Sequence, residues 1–424
     1  MKVLELKNAL REGALEKYSH LYSDIDAQTK RFISAIDAFS EKYGNDREIS
    51  VLSVPGRSEI IGNHTDHNRG KVLAGAIDRD IIAVVSKNND GVVRFFSEGY
   101  SPDTIDLSAV ADPSSFKKFT SRALVAGMAA GLMNKGYTLG GFDAYSTTEV
   151  LKGSGLSSSA AFEVMIGNIF NHLYLDGKVD NKEIAKLAQF SENVYFGKPC
   201  GLMDQMACAV GGFVYIDFAN KDEPLVEPIA FDVKGQGYSL CIVNTGGNHA
   251  NLNADYASVP EEMRSVAELL NREVLEGVCE DEIIKNASEI REKAGDRAFL
   301  RAIHFVRENK RVESAREALK SSEIDLFFNA LVLSGRSSFQ YLQNVYTTIN
   351  VREQGLSVAL ALTDGYLAQK GGAFRVHGGG FAGTIQAFVK TEELCGYIAL
   401  MNSVFGEGAA MPLNIRPEGA VKLF

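Results

Sequence analysis

Residues 142–175 read FDAYSTTEVLKGSGLSSSAAFEVMIGNIFNHLYL. The first nine, rich in aromatic and β-branched types, suit a strand. Further on, Phe162, Met165, Ile166, Ile169, Phe170 and Leu173 recur at i, i+3, i+4, i+7, i+8 and i+11, which marks one face of a helix. Between strand and helix stands Gly153-Ser154-Gly155-Leu156-Ser157-Ser158-Ser159-Ala160. Glycines let the backbone approach a ligand closely. The start of a helix offers unpaired N–H groups and the positive end of a dipole, which suit a phosphate. Serine hydroxyls add hydrogen bonds or a ligand for magnesium. A serine cap after a glycine turn accounts for the same letters. No Gly-Lys-Ser/Thr follows, so this is neither a P-loop nor the dinucleotide fingerprint.

Upstream, residues 49–57 (ISVLSVPGR) read as a buried strand that ends at Pro55-Gly56. After Ile60-Ile61 comes the run Gly62-Asn63-His64-Thr65-Asp66-His67-Asn68. Its donors and acceptors suit recognition of a polyhydroxyl compound. A solvated loop explains it too, and two histidines three apart beside an aspartate admit a metal. Residues 5–43 carry a helical pattern. IIAVVSK (81–87) and VVRFFS (92–97) flank Asn89-Asp90-Gly91 and predict a hairpin. Downstream, Cys200-Gly201-Leu202-Met203-Asp204-Gln205 places a carboxylate in an apolar setting, either as a base or hydroxyl-positioning group or as a helix cap. FVYIDF (213–218) and YSLCIVNT (238–245) read as strands, and the polar stretch Lys234-Gly235-Gln236-Gly237 between them suggests a division into residues 1–235 and 236–424. Helical patterns fill 259–369. FRVHGGGFAGTIQAFV (374–389) reads as strand, glycine turn, strand. Helices and strands mix without regular βαβ alternation, so the expected class is α+β.

A chain of 424 residues exceeds what one core usually serves, so two domains are expected. With 44 basic and 54 acidic residues the formal charge is −10, which argues against nucleic acid or an anionic membrane as partner. No apolar run approaches the roughly 18 residues of a membrane span. The first twenty residues are charged throughout and lack the apolar segment of a secretory signal. The cysteines, Cys200, Cys208, Cys241, Cys279 and Cys395, are odd in number and widely spaced, as expected for free thiols in a reducing cytoplasm.

Taken in order, these motifs resemble those of the GHMP kinase superfamily, named for galacto-, homoserine, mevalonate and phosphomevalonate kinases, and within it the galactokinase family. The resemblance runs from about Phe32 to the C-terminus. It rests on Gly56-Arg57 with Ile61-Gly62-Asn63-His64-Thr65-Asp66, on residues 155–160, on Pro199 to Gln205, and on Gly378-Gly379-Gly380-Phe381. Arg301 to Val306, with Glu308-Asn309, also resembles a galactokinase segment. It implies a two-domain GHMP-kinase-like fold with the active site in the cleft between domains. The implied activity is phosphorylation of galactose at its anomeric C1 hydroxyl by ATP with magnesium. Residue by residue, it implies Asp204 as catalytic carboxylate with Arg57 beside it. Asn63, His64, Asp66, Gly201 and Tyr256 fall on sugar contacts. Gly153, Ser154, Gly155, Leu156, Ser157, Ser158 and Ser159 form the ATP phosphate loop, and Ser159 and Glu192 fall on magnesium ligands. A cytoplasmic monomer with only a sugar and ATP as partners is expected.

Several positions depart from the family pattern. Asn63 stands where the family has a Glu that contacts the sugar's 6-hydroxyl, His67 where it has Tyr, and Leu151 where it has Pro. Residues 334–339 match their family counterpart loosely, and the chain has no Trp. Neutral Asn63 would also accommodate a uronate, so a galacturonate 1-kinase is the alternative enzyme. A sugar-sensing regulator without turnover should show damage at the loop or the base, yet Ser157 to Ser159 and Asp204 are intact.

Overall fold

Aliphatic and β-branched residues dominate Ser50–Ile61 (β1) and Lys71–Lys87 (β2), and these two long strands pair antiparallel. The structure, a computed structural model, describes residues 1–150, 155–247 and 252–424. Leu151, Gly153 and Ser154 of the expected phosphate loop therefore lie outside the described residues. The remaining strands are β3 (Val92–Ser97), β4 (Asp103–Asp106), β5 (Phe142–Thr148), β6 (Phe213–Asp217), β7 (Leu225–Ile229), β8 (Tyr238–Asn244), β9 (Ala373–His377), β10 (Thr384–Lys390), β11 (Ala410–Leu413) and β12 (Val421–Lys422). Among the described residues they form two sheets. The larger has the order β12-β1-β2-β5-β3-β4, with β6 also on β2 and β7 on β6; the smaller has the order β11-β8-β10-β9.

Alternation along the strands builds the layers. Val51, Ile82 and Val84 face the N-terminal helices Val3–Arg11 and Ile25–Tyr43, where Phe32, Ile36 and Phe39 are buried. Leu52, Val54, Ala83 and Val85 face the opposite layer. That layer holds helices Ser121–Asn134, Ser158–Tyr174, Asn181–Phe190 and Met203–Val210. In Ser158–Tyr174 the predicted stripe is buried at Met165, Ile166, Ile169 and Phe170, all 0% exposed and each contributing about 1.5–3 kcal/mol. Val164, Asn168 and Asn171 are buried as well, so the helix is enclosed all round instead of lying on a surface. The smaller sheet shares this core through Leu240, Ile242 and Phe388, and its other face packs on helices Gly355–Leu367 and Leu394–Phe405.

The hairpin predicted across Asn89-Asp90-Gly91 does not form. β5 enters between β2 and β3, antiparallel to the first and parallel to the second. Asp143 of β5 explains the insertion. Its carboxylate accepts from Asn88 Nδ2 at 3.1 Å, Arg94 Nη1 at 3.2 Å and Arg47 Nη2 at 2.7 Å, so the groups that a hairpin would join are bonded to a third strand. β7 is also absent from the sequence reading. The helix-dominated region after 252, the strand–glycine turn–strand at 373–390 and the mixed α+β class are as expected.

The end of the chain returns to the larger sheet. After β11, Ile415 bridges to Ile77 and β12 pairs with β1 at Leu52 and Ser53. Among the described residues, no helix is long and apolar enough to cross a membrane. The five cysteines are free.

Candidate active site

β1 runs into the turn that opens helix Ser158–Tyr174, and the two backbones touch. A Cβ on Gly56 would stand 2.8 Å from the Leu156 carbonyl, so only glycine permits the approach. Next to it, Arg57 N donates to Leu156 O at 3.1 Å and Arg57 Nη1 to Gly155 O at 2.6 Å. Arg57 Nε reaches Asp204 Oδ1 at 2.8 Å, and Ser157 Oγ donates to Asp204 Oδ2 at 2.6 Å. Ser157 is held at φ +60°, a left-handed conformation that costs a β-carbon residue roughly 1–2 kcal/mol and here starts the helix. Asp204 lies in the first turn of helix Met203–Val210, with 35% of its side chain exposed against 9% for Arg57. Desolvation works against the Asp204 charge. The Arg57 guanidinium and the Ser157 hydroxyl outweigh it and hold the carboxyl below the usual range.

Behind Asp204, Gln205 gathers two buried carboxylates. Its Nε2 donates to Glu192 Oε2 at 2.8 Å and to Glu163 Oε2 at 3.3 Å. Glu192 sits on a π-helical turn, Ser191–Phe196, that continues helix Asn181–Phe190. Lys198 Nζ lies 3.0 Å from Glu192 Oε1. Burial and the Glu192 carboxylate push Glu163 well above the usual range, and its Oε1 has no hydrogen-bond partner among the described residues. Ser159 is one helical turn before Glu163 on the same face. Hydroxyl and carboxylate oxygens are the hard donors that a magnesium ion prefers, and Glu163 Oε1 is an acceptor without a donor, so this set fits such an ion.

Met203, the residue before Asp204, lines a cavity of about 160 Å³ together with Glu59, His64, Asp66 and Gly379, among others. Gly201 abuts it: a Cβ there would stand 2.7 Å from Asp66 Oδ2. His64 Nε2 is 2.9 Å from Gly379 O. Tyr256 supports the same glycine turn, its hydroxyl donating to Gly380 O at 2.7 Å and its ring edge-on to Phe381 at 5.3 Å. Asn63 borders the cavity, but its side chain is buried and bonded to protein. Nδ2 donates to Glu59 Oε1 at 2.8 Å and Gly378 O at 2.7 Å, and Oδ1 accepts from Asn344 Nδ2 at 2.7 Å.

The segment from Arg301 to Asn309 holds this loop from behind. His304 Nε2 is 3.0 Å from Asn63 O, and Glu308 Oε1 accepts from Gly62 N at 3.1 Å. His377, next to the glycine turn, packs under Gly155 and bonds Thr384 Oγ1 at 2.8 Å. The structure thus brings together Arg57, Asp204 and residues 155–157, and separately Asn63, His64, Asp66, Gly201 and Tyr256 around the glycine turn. Glu59, Glu163 and Lys198 were not anticipated. A charged residue inside the otherwise buried stretch at 49–61 was the one available signal for Glu59.

Known proteins resemble the chain over most of its length. The galactokinase galactose-binding signature matches residues 37–87, and the GHMP kinases N-terminal domain matches residues 123–212. The galactokinase of Streptomyces coelicolor is 33% identical over 385 residues, covering 89% of this chain and 93% of that protein. The galactokinase of Actinobacillus pleuropneumoniae serotype 5b is 31% identical over 370 residues, covering 86% of this chain and 92% of that protein. Among solved structures, Lactococcus lactis galactokinase complexed with galactose aligns with a TM-score of 0.77 at 25% identity, over 92% of this chain and all of that one. A mevalonate kinase from Methanococcus jannaschii shares the fold, with a TM-score of 0.60 at 15% identity over 87% of this chain and 98% of that one.

Proposed function

The chain belongs to the galactokinase family of GHMP kinases, and from that membership we propose that it transfers the γ-phosphoryl group of ATP to the anomeric hydroxyl of galactose, giving galactose 1-phosphate and ADP. The observation that carries the reading is the Arg57–Asp204–Ser157 set at the turn that opens helix Ser158–Tyr174, with Met203, next to Asp204 in sequence, lining the cavity that holds Glu59 and Asp66.

Phosphoryl transfer asks a protein mainly for positioning and charge neutralisation. Each Asp204 oxygen accepts one hydrogen bond and keeps a further lone pair, so the carboxylate can still accept the proton of the anomeric hydroxyl. The anomeric oxygen of the sugar, relieved of its proton, then bonds the γ-phosphorus as the bond to the ADP oxygen breaks. Arg57 orients Asp204 and lies beside the charge that develops during transfer. Backbone N–H groups at the start of helix Ser158–Tyr174, with the Ser158 and Ser159 hydroxyls, hold the phosphates, while the Ser157 hydroxyl stays on Asp204. Glu192 and Ser159 would hold a magnesium ion, which when bound neutralises phosphate charge. Residues His64, Asp66 and Gly201 form the sugar side, closed by the glycine turn that Tyr256 supports.

The reading is tested by ADP release from ATP with galactose, galacturonate, glucose or no sugar, using wild type and Asp204→Asn. Galactose-dependent release is expected from the wild type, reduced about 10²-fold or more in the variant with ATP binding kept. Release that does not depend on galactose, or a folded variant with near-normal turnover, would reject it.

A further inference from the structure

Two carboxylates line the cavity, and they come from different elements. Asp66 belongs to the polar loop. Glu59 lies on β1, two residues beyond Arg57 in a stretch of regular pairing with β2. Strand residues i and i+2 project from the same face about 7 Å apart. Glu59 therefore stands one strand repeat farther from Asp204 than Arg57 does, at the opposite end of the space a sugar would fill.

Glu59 is only 8% exposed. Its Oε1 accepts from Asn63 Nδ2 at 2.8 Å and lies 4.0 Å from Arg375 Nη2, while Oε2 has no hydrogen-bond partner among the described residues. A carboxylate oxygen on the wall of a cavity and without a protein donor is free to accept a hydrogen bond from a ligand there. Asn63 is in the reverse position. It is 0% exposed, and its two N–H donors and its oxygen are all engaged by protein groups. The amide thus orients the acid, and the acid is what the cavity sees.

We propose that Glu59 is a specificity-determining carboxylate of the sugar site. This rests on the sugar-kinase reading above. With the anomeric hydroxyl at Asp204, Glu59 Oε2 accepts a hydrogen bond from a hydroxyl at the C4–C6 end of the hexose. A sugar that lacks this hydroxyl leaves a buried acceptor unpaired. A uronate would bring a second carboxylate to the same place, so the uronate substrate that a neutral Asn63 admits is disfavoured by its neighbour.

The test compares kcat/KM for galactose, 4-deoxygalactose and 6-deoxygalactose, by ADP release, in wild type, Glu59→Met and Glu59→Asp. Methionine removes the oxygens at similar length; aspartate draws them back by one methylene. The wild type should discriminate about tenfold or more against one of the deoxy sugars, mainly through KM. In either folded variant that ratio should shrink to about threefold or less, through a loss on galactose. A folded variant that keeps the wild-type ratio overturns the role of Glu59 and leaves the kinase reading standing. Wild type that phosphorylates all three sugars alike also overturns it, whatever the variants do. Wild type that releases no ADP with galactose overturns the kinase reading itself.

Discussion

Asp204 is held by two donors of different kind, and each has its own consequence. Arg57 supplies charge, and Ser157 supplies a neutral hydrogen bond from a strained residue. Removing the guanidinium takes away the largest influence that opposes desolvation at Asp204 and leaves only the Ser157 hydroxyl and the Lys198 charge against it, so the pKa rises. Since the base must be ionised, the acidic limb of the kcat/KM profile should move to higher pH in Arg57→Met, by about 1–3 units. An unchanged limb would mean that Arg57 does not set the ionisation of Asp204. Gly201 makes a second residue-scale prediction. An added methyl would meet Asp66 Oδ2 at 2.7 Å and turn that carboxylate away. Gly201→Ala should raise KM for galactose about tenfold or more and change the melting temperature little. A normal KM would remove Asp66 from the sugar contacts. Asn63 shows where letters stop being informative. Its position at the cavity edge was legible, but its bonds run to Gly378 and Asn344, 315 and 281 residues away, and no local pattern records them.

The polar loop at 62–68 is shaped by elements far from it in sequence. Helix Asp296–Lys320 presents His304 and Glu308 to its backbone, and β9 presents His377 beneath the phosphate turn. Burial lowers His304 to about 4 and His377 to about 3. In the unfolded chain an imidazole takes its proton near pH 6.5. Between these values the unfolded chain binds more protons, so stability rises with pH and is lost as pH falls from about 6.5. Glu308, brought down to about 2 because Arg311, His304 and Arg375 overcome its burial, adds a further loss below about 4.5. Thermal melts from pH 7.5 to 4.5 should show a falling transition, with a shallower slope in His304→Gln. The His304 share at pH 4 is roughly 3 kcal/mol, at 1.36 kcal/mol per unit. A flat profile, or equal slopes, would contradict the assignment. The strand–turn–helix of 142–174 and the strand–glycine turn–strand of 373–390 were readable because each is set by its own local pattern. The β2–β3 hairpin was misread because Asn-Asp-Gly marks a turn without saying which strand fills the gap. Asp143, some fifty residues later, decides that.

Across the whole molecule, the chain's beginning and end meet at one buried acid. Asp80 accepts from Arg31 Nη1 at 2.6 Å, Arg416 Nη1 at 3.2 Å and Tyr22 at 2.8 Å, and Ser53 donates to it as well. Asp80 and Arg416 are 0% exposed. Asp80→Ala would leave a buried Arg416 without its counter-charge and should cost about 3–5 kcal/mol in urea unfolding. A loss under about 1 kcal/mol would show that this cluster does not tie the ends to the sheet. The core behind the catalytic groups is likewise shared, running from Leu52 through the helices to Phe388 and Leu413. Such closure could not be read from a sequence that suggests a division at 235/236, since composition marks the loop there and not the return of residues 415–424 to β1. Asp204 and residues 155–157 precede that division and the glycine turn follows it, and Met203 and Gly379 line one cavity. In the proposed mechanism this cavity presents the anomeric hydroxyl of galactose to Asp204. The most direct measurement is 31P NMR of the product formed from galactose and ATP by wild type and Asp204→Asn. The expected product is a phosphate ester coupled to the anomeric proton, formed by the wild type and strongly suppressed in the variant. A phosphate on any other carbon, or no phosphorylated galactose at all, would contradict it.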